Sequence, residues 1–375
     1  MTTKMTRRDW LTGSATAAAA TLALSGTKAT AQTFMQPNVN PTAENPIRAH
    51  FNENPYGQSK MAIKAMKDAF DKSHLYTFRE VFDLMGLMAE LEDIPFEYVT
   101  LGAGSTEILE KAAVLNHVSG GAVMSPTPTY GDIARFSKTL GTKLIEVPVG
   151  DDLAINLEAM RAAMTDEVKL IYLCNPNNPI PTIIEKNALK EFITEMSNRG
   201  VTVLVDEAYH EYVDNPDYES MVSMVRENKN VIVTRTASKI HAFAGVRIGI
   251  CYSHPDFVQK SYGLFSNTLN YTAIRGAMAS YRDTEYQAFL KQKNKECLEI
   301  CYEMFEELGL EYVKSNANFT FFNAGRPALE VAETMKKHHI LTGREFKLYS
   351  NWVRLSMTKP EEMKYFVEKY KQEYA

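Results

Sequence analysis

The chain has 375 residues, 45% hydrophobic and 23% charged, with a formal net charge of −5. That length supports two domains with substantial cores. The mild acidity, with no basic stripe or charge block, argues against a nucleic-acid or anionic-membrane partner.

The first element is a targeting segment. Thr6-Arg7-Arg8-Asp9-Trp10-Leu11 places paired arginines before a short Ala-rich apolar run ending at Ser25, followed by Lys28 and the small-x-small site Ala29-Thr30-Ala31. This resembles a twin-arginine signal, which implies removal of residues 1–31 near Ala31 and delivery of a folded protein to the periplasm. A loose N-terminal helix or tail is the other reading. The run is too short to span a bilayer stably, so no stable membrane anchor is expected.

Residues 32–55, Pro- and Asn-rich as far as Asn45, read as an N-terminal arm. Apolar residues at helical spacing follow over Lys60–Ala69. Short β-rich runs then recur at Ala122–Ser125, Lys143–Val147, Lys169–Leu173, Val201–Val205, Val231–Thr234 and Arg247–Tyr252, with helical segments such as Asn156–Met164 and Asn187–Asn198 between several of them. Strands apolar on both faces and alternating with helices predict an α/β domain with a largely parallel sheet, placed at 56–275. From about Tyr286 a long helix, the run "NFTFFNA", a helix, "WVRLSM" and a last helix predict a smaller α+β C-terminal domain, placed at 276–375. Cys174, Cys251, Cys297 and Cys301 read as buried free thiols, and neither they nor His338-His339 offer a metal site.

Four stretches carry polar chemistry at predicted strand ends, where open α/β sheets bind ligands. "LGAGSTEILEKAA" opens a helix at Gly104, Ser105 and Thr106, suited to an anion but equally to an ordinary capped turn. "LCNPNNPIP" delivers Asn178 beyond a strand, or is a plain Asn/Pro turn. "VTVLVDEAYHEY" ends a strand at Asp206, with Tyr209 three residues on; Asp206 suits a cationic ring nitrogen or a helix N-cap. "RTASKIHAFAGVRIGI" sets Lys239 and Arg247 among small and apolar residues. Burial and a nearby cation favour the neutral, nucleophilic amine, whereas an exposed loop lysine and a structural ion pair are the plainer alternative. Together these are the parts of a pyridoxal phosphate site. A nucleotide-binding Rossmann protein is disfavoured by the missing third glycine and ribose acid.

These stretches, in this order, resemble fold-type I aminotransferases of the histidinol-phosphate aminotransferase-like group, as do "IRAHFNENPYG" and "WVRLSMTKPEE". The resemblance spans nearly the whole mature chain. It implies a large domain with a mostly parallel seven-stranded sheet, a smaller α+β domain and a homodimer with shared active sites. It implies pyridoxal 5′-phosphate as cofactor, held by Gly104, Ser105, Thr106, Tyr130, Asn178, Asp206, Tyr209, Thr236, Ser238, Lys239 and Arg247. Lys239 would form the Schiff base and Asp206 would keep the ring nitrogen protonated. Tyr209 and Asn178 would meet the ring oxygen, and Tyr130 would stack on the ring. Tyr76, with Phe78 as a rival alignment, would reach the neighbouring subunit's phosphate. Arg354, Arg344 and Tyr56 would bind substrate.

The sequence departs from the group at Ile180-Pro181, where Thr-Gly is usual, at Thr106, where aspartate is usual, and at Thr358, where glycine is common. The expected activity is amino transfer between an amino acid or related amine and a 2-oxo acid. The expected location argues against histidinol phosphate as the substrate. A lyase or decarboxylase using the same cofactor, and a non-catalytic periplasmic binding protein, are the alternatives.

Overall fold

The computed structural model describes residues 36–264 and 268–375. The signal expected over residues 1–31 and its cleavage near Ala31 lie outside the described residues.

After a short β1 (Ile47–Ala49), the main sheet is built from β2 (Val99–Gly102), β3 (Ala122–Thr127), β4 (Leu144–Pro148), β5 (Val168–Cys174), β6 (Thr202–Asp206), β7 (Val231–Thr236) and β8 (Gly249–Ser253). Their order is β2-β8-β7-β6-β5-β3-β4. β3 to β7 pair in parallel, and β8 runs antiparallel to both β7 and β2. Side-chain alternation covers both faces. Ile171, Leu173, Val203, Val205, Val231 and Val233 enter one core. Leu170, Tyr172, Leu204 and Ile232 enter a second, against Ile108, Leu109 and Ala112 of the helix Ser105–Val118. The helix Lys60–Ala69 begins where expected because the Ser59 side chain accepts a hydrogen bond from Ala62 N.

The C-terminal part contains the antiparallel strands β9 (Tyr312–Val313), β10 (Phe319–Asn323) and β12 (Trp352–Ser356), with β11 (Ile340–Thr342) paired in parallel to β1. Two sequence boundaries shift. Ile47 and Ala49, expected in an arm, are buried in the C-terminal core with Cys301, Phe305 and Val331. The helix Tyr271–Arg282 crosses the expected boundary at 275/276. Its Ala273, Ile274 and Ala277 belong to the main-sheet core, so the change of core falls after Arg282. All four cysteines are buried free thiols. No helix of the described residues is long and apolar enough to cross a membrane.

Candidate active site

β5, β6 and β7 end side by side: Cys174 pairs with Asp206, and Asp206 with Thr234. Their C-terminal ends open into a cavity of about 880 Å³. Asp206 is 1% exposed and lines it. Its Oδ2 accepts a hydrogen bond from the Tyr172 hydroxyl at 3.0 Å, while its Oδ1 has no hydrogen-bond partner among the described residues. Burial raises this carboxyl to about 7, against the opposing effect of the Tyr172 hydrogen bond.

Lys239, in the loop after β7, directs its amine into the same cavity, 3.4 Å from the Phe51 carbonyl and 5.4 Å from the centre of the Tyr209 ring. Burial, then the nearby Arg354 guanidinium, lowers its pKa to about 8. The Tyr209 hydroxyl accepts from Asn52 Nδ2 at 3.0 Å and Asn178 Nδ2 at 3.2 Å. Both amides donate to it, so its own proton is free to donate into the cavity. Arg354 donates to Asn178 Oδ1 at 2.8 Å and to the His50 carbonyl at 2.6 Å. Its buried Nε has no hydrogen-bond partner among the described residues.

An anion cradle forms where the loop after β2 meets the start of β8. Gly104 has φ +83°, and a Cβ there would fall on the Arg247 guanidinium. A Cβ on Gly249 would fall on the Gly104–Ser105 peptide, so glycine at 249 is what lets β8 approach. Gly104 provides no side-chain cap to the helix Ser105–Val118, which leaves its first N–H groups for an anion. Arg247, at φ 71°, is held by its N–H to the Phe243 carbonyl at 3.0 Å. Its guanidinium donates to the Ala103 carbonyl, the Ala244 carbonyl and Ser238 Oγ at 3.1, 2.9 and 3.2 Å. Ser238 Oγ also accepts from Thr236 Oγ1 at 2.9 Å, so its own proton is free to face an anion.

The cavity thus gathers Ser105, Thr106, Tyr130, Asn178, Asp206, Tyr209, Thr236, Ser238, Lys239, Arg247, Arg344 and Arg354 as expected. Tyr76, expected at a neighbouring subunit's phosphate, is 81% exposed and outside this chain's own cavity, as is its rival Phe78. One expectation is corrected within this chain. Tyr56 turns away because its ring packs edge-on to Phe289 at 5.3 Å and faces Lys359. Sequence reasoning missed Tyr172, Asn52, His50 and Asp132. Tyr172 sits in an apolar strand, where its hydroxyl gives no signal. Asn52 could have been found in "NENPYG". At the Ile180-Pro181 departure, Ile180 is fully buried with Phe321, Phe346 and Trp352, which explains an apolar residue there. The Pro181 carbonyl accepts from Asn316 N and Nδ2 at 3.1 and 3.2 Å.

Residues 47–369 match the family described as aminotransferase class I and II. The chain belongs to this family. It is similar to the histidinol-phosphate aminotransferase of Caldicellulosiruptor saccharolyticus, at 32% identity over 77% of this chain and 80% of that protein. It is similar to that of Symbiobacterium thermophilum at 30% identity, over 87% and 90% of the two. A solved chain from Erwinia carotovora atroseptica SCRI1043 matches with a TM-score of 0.86 at 31% identity, covering 89% of this chain and 98% of that one. The histidinol-phosphate aminotransferase of Sinorhizobium meliloti in complex with pyridoxal-5′-phosphate matches in fold, with a TM-score of 0.79 at 24% identity over 86% and 89% of the chains.

This aminotransferase therefore has the fold-type I architecture and uses pyridoxal 5′-phosphate. The residues fit that group. A buried carboxylate oxygen without a partner suits a protonated ring nitrogen, and the uncapped helix start with Arg247 suits a phosphate dianion.

Proposed function

We propose that the enzyme moves the amino group of an α-amino acid to a 2-oxo acid, with Lys239 as its covalent and proton-transferring residue. The observation that carries this reading is one cavity holding the Lys239 amine, the unpartnered Asp206 Oδ1 and the Arg354 guanidinium. The bound cofactor supplies an electron sink that acidifies the substrate Cα–H bond. Asp206 Oδ1 would accept from a protonated ring nitrogen, and the Tyr209 hydroxyl would donate to the ring oxygen. Ser105, Thr106, Ser238 and Arg247 would hold the phosphate. Arg354 binds the substrate carboxylate through its planar fork. Lys239 Nζ would be the covalent attachment point for the cofactor aldehyde and, as a free amine, would be the base that moves the Cα proton.

The same reading has the mature protein acting in the periplasm after twin-arginine export, which favours an amino acid over histidinol phosphate as donor. It also has a homodimer. The exposed side chains of Phe70, Leu75, Tyr76, Phe78 and Phe82 form an apolar stretch suited to burial by a second copy, which would carry Tyr76 toward the partner's phosphate cradle. Arg344 is an exposed cation at the cavity wall, 5.5 Å from the Phe346 ring centre, suited to a second anionic group of the substrate.

The test is a half-reaction screen. Purified mature holoenzyme is mixed with single amino acids while the absorbance of the aminated cofactor is followed. At least one amino acid should convert the wild type stoichiometrically and leave Lys239→Ala unreacted. Wild-type-like conversion by Lys239→Ala would sink the assignment.

A further inference from the structure

Asp132 is the first residue of the helix Asp132–Leu140, and acids are common in such first turns. Among the described residues its carboxylate has no backbone N–H partner. Instead Oδ2 accepts from the Tyr130 hydroxyl at 2.9 Å and from Thr106 Oγ1 at 3.2 Å, one hydroxyl from the loop after β3 and one from the first turn of the helix Ser105–Val118, both lining the cavity. Oδ1 accepts from Arg135, at 3.0 Å from Nη2 and 3.4 Å from Nε. Arg135 also lines the cavity, with a side chain 58% exposed against 19% for Asp132. The carboxylate therefore bridges the loop that carries Tyr130 to the first turn of the helix Ser105–Val118.

Two consequences follow from donor and acceptor counting. The single proton of the Thr106 hydroxyl is committed to Asp132, so Thr106 has only its backbone N–H to offer an anion. A carboxylate beside a phosphate cradle is repulsive unless neutralised, and Arg135 supplies that neutralisation. Position 106 lacks the carboxylate usual in the group it resembles, whereas Asp132 places one against the Thr106 hydroxyl from the neighbouring loop.

We propose that Asp132 is a positioning residue, which fixes the cavity-lining Tyr130 phenol relative to the phosphate-binding turn and has Arg135 as its counter-ion. This rests on the cofactor placement proposed above. It goes further by assigning a role to a residue that touches neither substrate nor reacting atoms.

The experiment uses mature holoenzyme of wild type, Asp132→Ala, Asp132→Asn, Tyr130→Phe and the Asp132→Ala/Tyr130→Phe double variant. The readouts are the induced circular dichroism of the cofactor band, the rate of cofactor loss on dialysis, and the half-reaction rate constant separated from donor affinity. Loss of hydrogen bonds to a charged acceptor predicts that Asp132→Ala releases cofactor about tenfold faster and reacts about tenfold more slowly. Its dichroic band should change while donor affinity holds. Asp132→Asn, which keeps one acceptor, should be intermediate, and it carries the same test if the alanine variant does not fold. The double variant should be no worse than its worse parent, because both changes break one bridge. Wild-type dichroism and cofactor retention in Asp132→Ala or Asp132→Asn, or additive effects in the double variant, would overturn the proposal. A wild type with no cofactor on Lys239 would instead remove the placement on which it rests, and is read separately from the wild-type spectrum.

Discussion

The Tyr172 hydroxyl donates to Asp206 Oδ2 at 3.0 Å across neighbouring positions of β5 and β6, and the equally buried Oδ1 has no hydrogen-bond partner among the described residues. One oxygen is oriented by the protein and the other is available to a cation. This makes Asp206 costly to ionise until the cavity is filled.

That cost has a sign. The folded-state pKa of about 7 lies above the ordinary 3.8, so in cofactor-free protein the contribution of the carboxyl to stability is full below pH 3.8 and lost as pH rises through about 7. Cofactor-free Asp206→Asn should match cofactor-free wild type in acid and exceed it at pH 8, by up to about 4 kcal/mol. Thermal melts of the two apoproteins across pH check this. With cofactor present the order should reverse, and the half-reaction should slow by about 100-fold or more.

Lys239 and Arg354 are coupled cations. Attachment of pyridoxal 5′-phosphate to the cofactor-free protein, which needs the neutral Lys239 amine, should speed up as pH rises through about 8 and level off above that. Arg354→Gln removes a cation that helps lower this pKa, so the rising limb should move to higher pH. Donor KM should also increase by about 100-fold as the carboxylate loses a charge-assisted bidentate partner. Cofactor-attachment rates across pH and donor saturation curves on both proteins read the two effects, and an unmoved limb would contradict the coupling.

Gly249→Ala should damage cofactor binding without touching the cofactor. The new Cβ meets the Gly104 carbonyl oxygen at 2.5 Å and crowds the Ser105 amide, so β8 and the anion-binding turn must separate. A loss of about 1–3 kcal/mol in stability is expected, with faster cofactor release. Wild-type melting and retention would show that the close approach is unimportant.

Ile180→Ala should leave a hole beneath Phe346 and Trp352. The expected cost is about 2–4 kcal/mol by denaturant unfolding, with weaker donor binding as the segment carrying Arg344 and Phe346 loosens.

Much of this site could be read from the sequence, because its residues end strands with strong apolar patterns. Asp206 follows "VTVLV", and Lys239 and Arg247 flank the turn between β7 and β8. β2 did not stand out as a strand because it is four residues long and ends in glycine. Its pairing with β8 is a long-range event that local pattern does not reveal. Tyr172 was hidden by its strand, and Asp132 by its resemblance to an ordinary acidic helix start. Tyr56 shows the reverse limit. A tyrosine within a recognisable motif can still turn to a hydrophobic neighbour. The Ile47–Ala49 strand was read as an arm because its partner, Ile340–Thr342, is nearly three hundred residues away.

Borohydride reduction of the mature holoenzyme, followed by peptide mapping, tests the central assignment most directly. A stable pyridoxyl label on Lys239 is predicted, absent from Lys239→Ala. A label on another lysine, or no label on a holoenzyme that turns over, would contradict it.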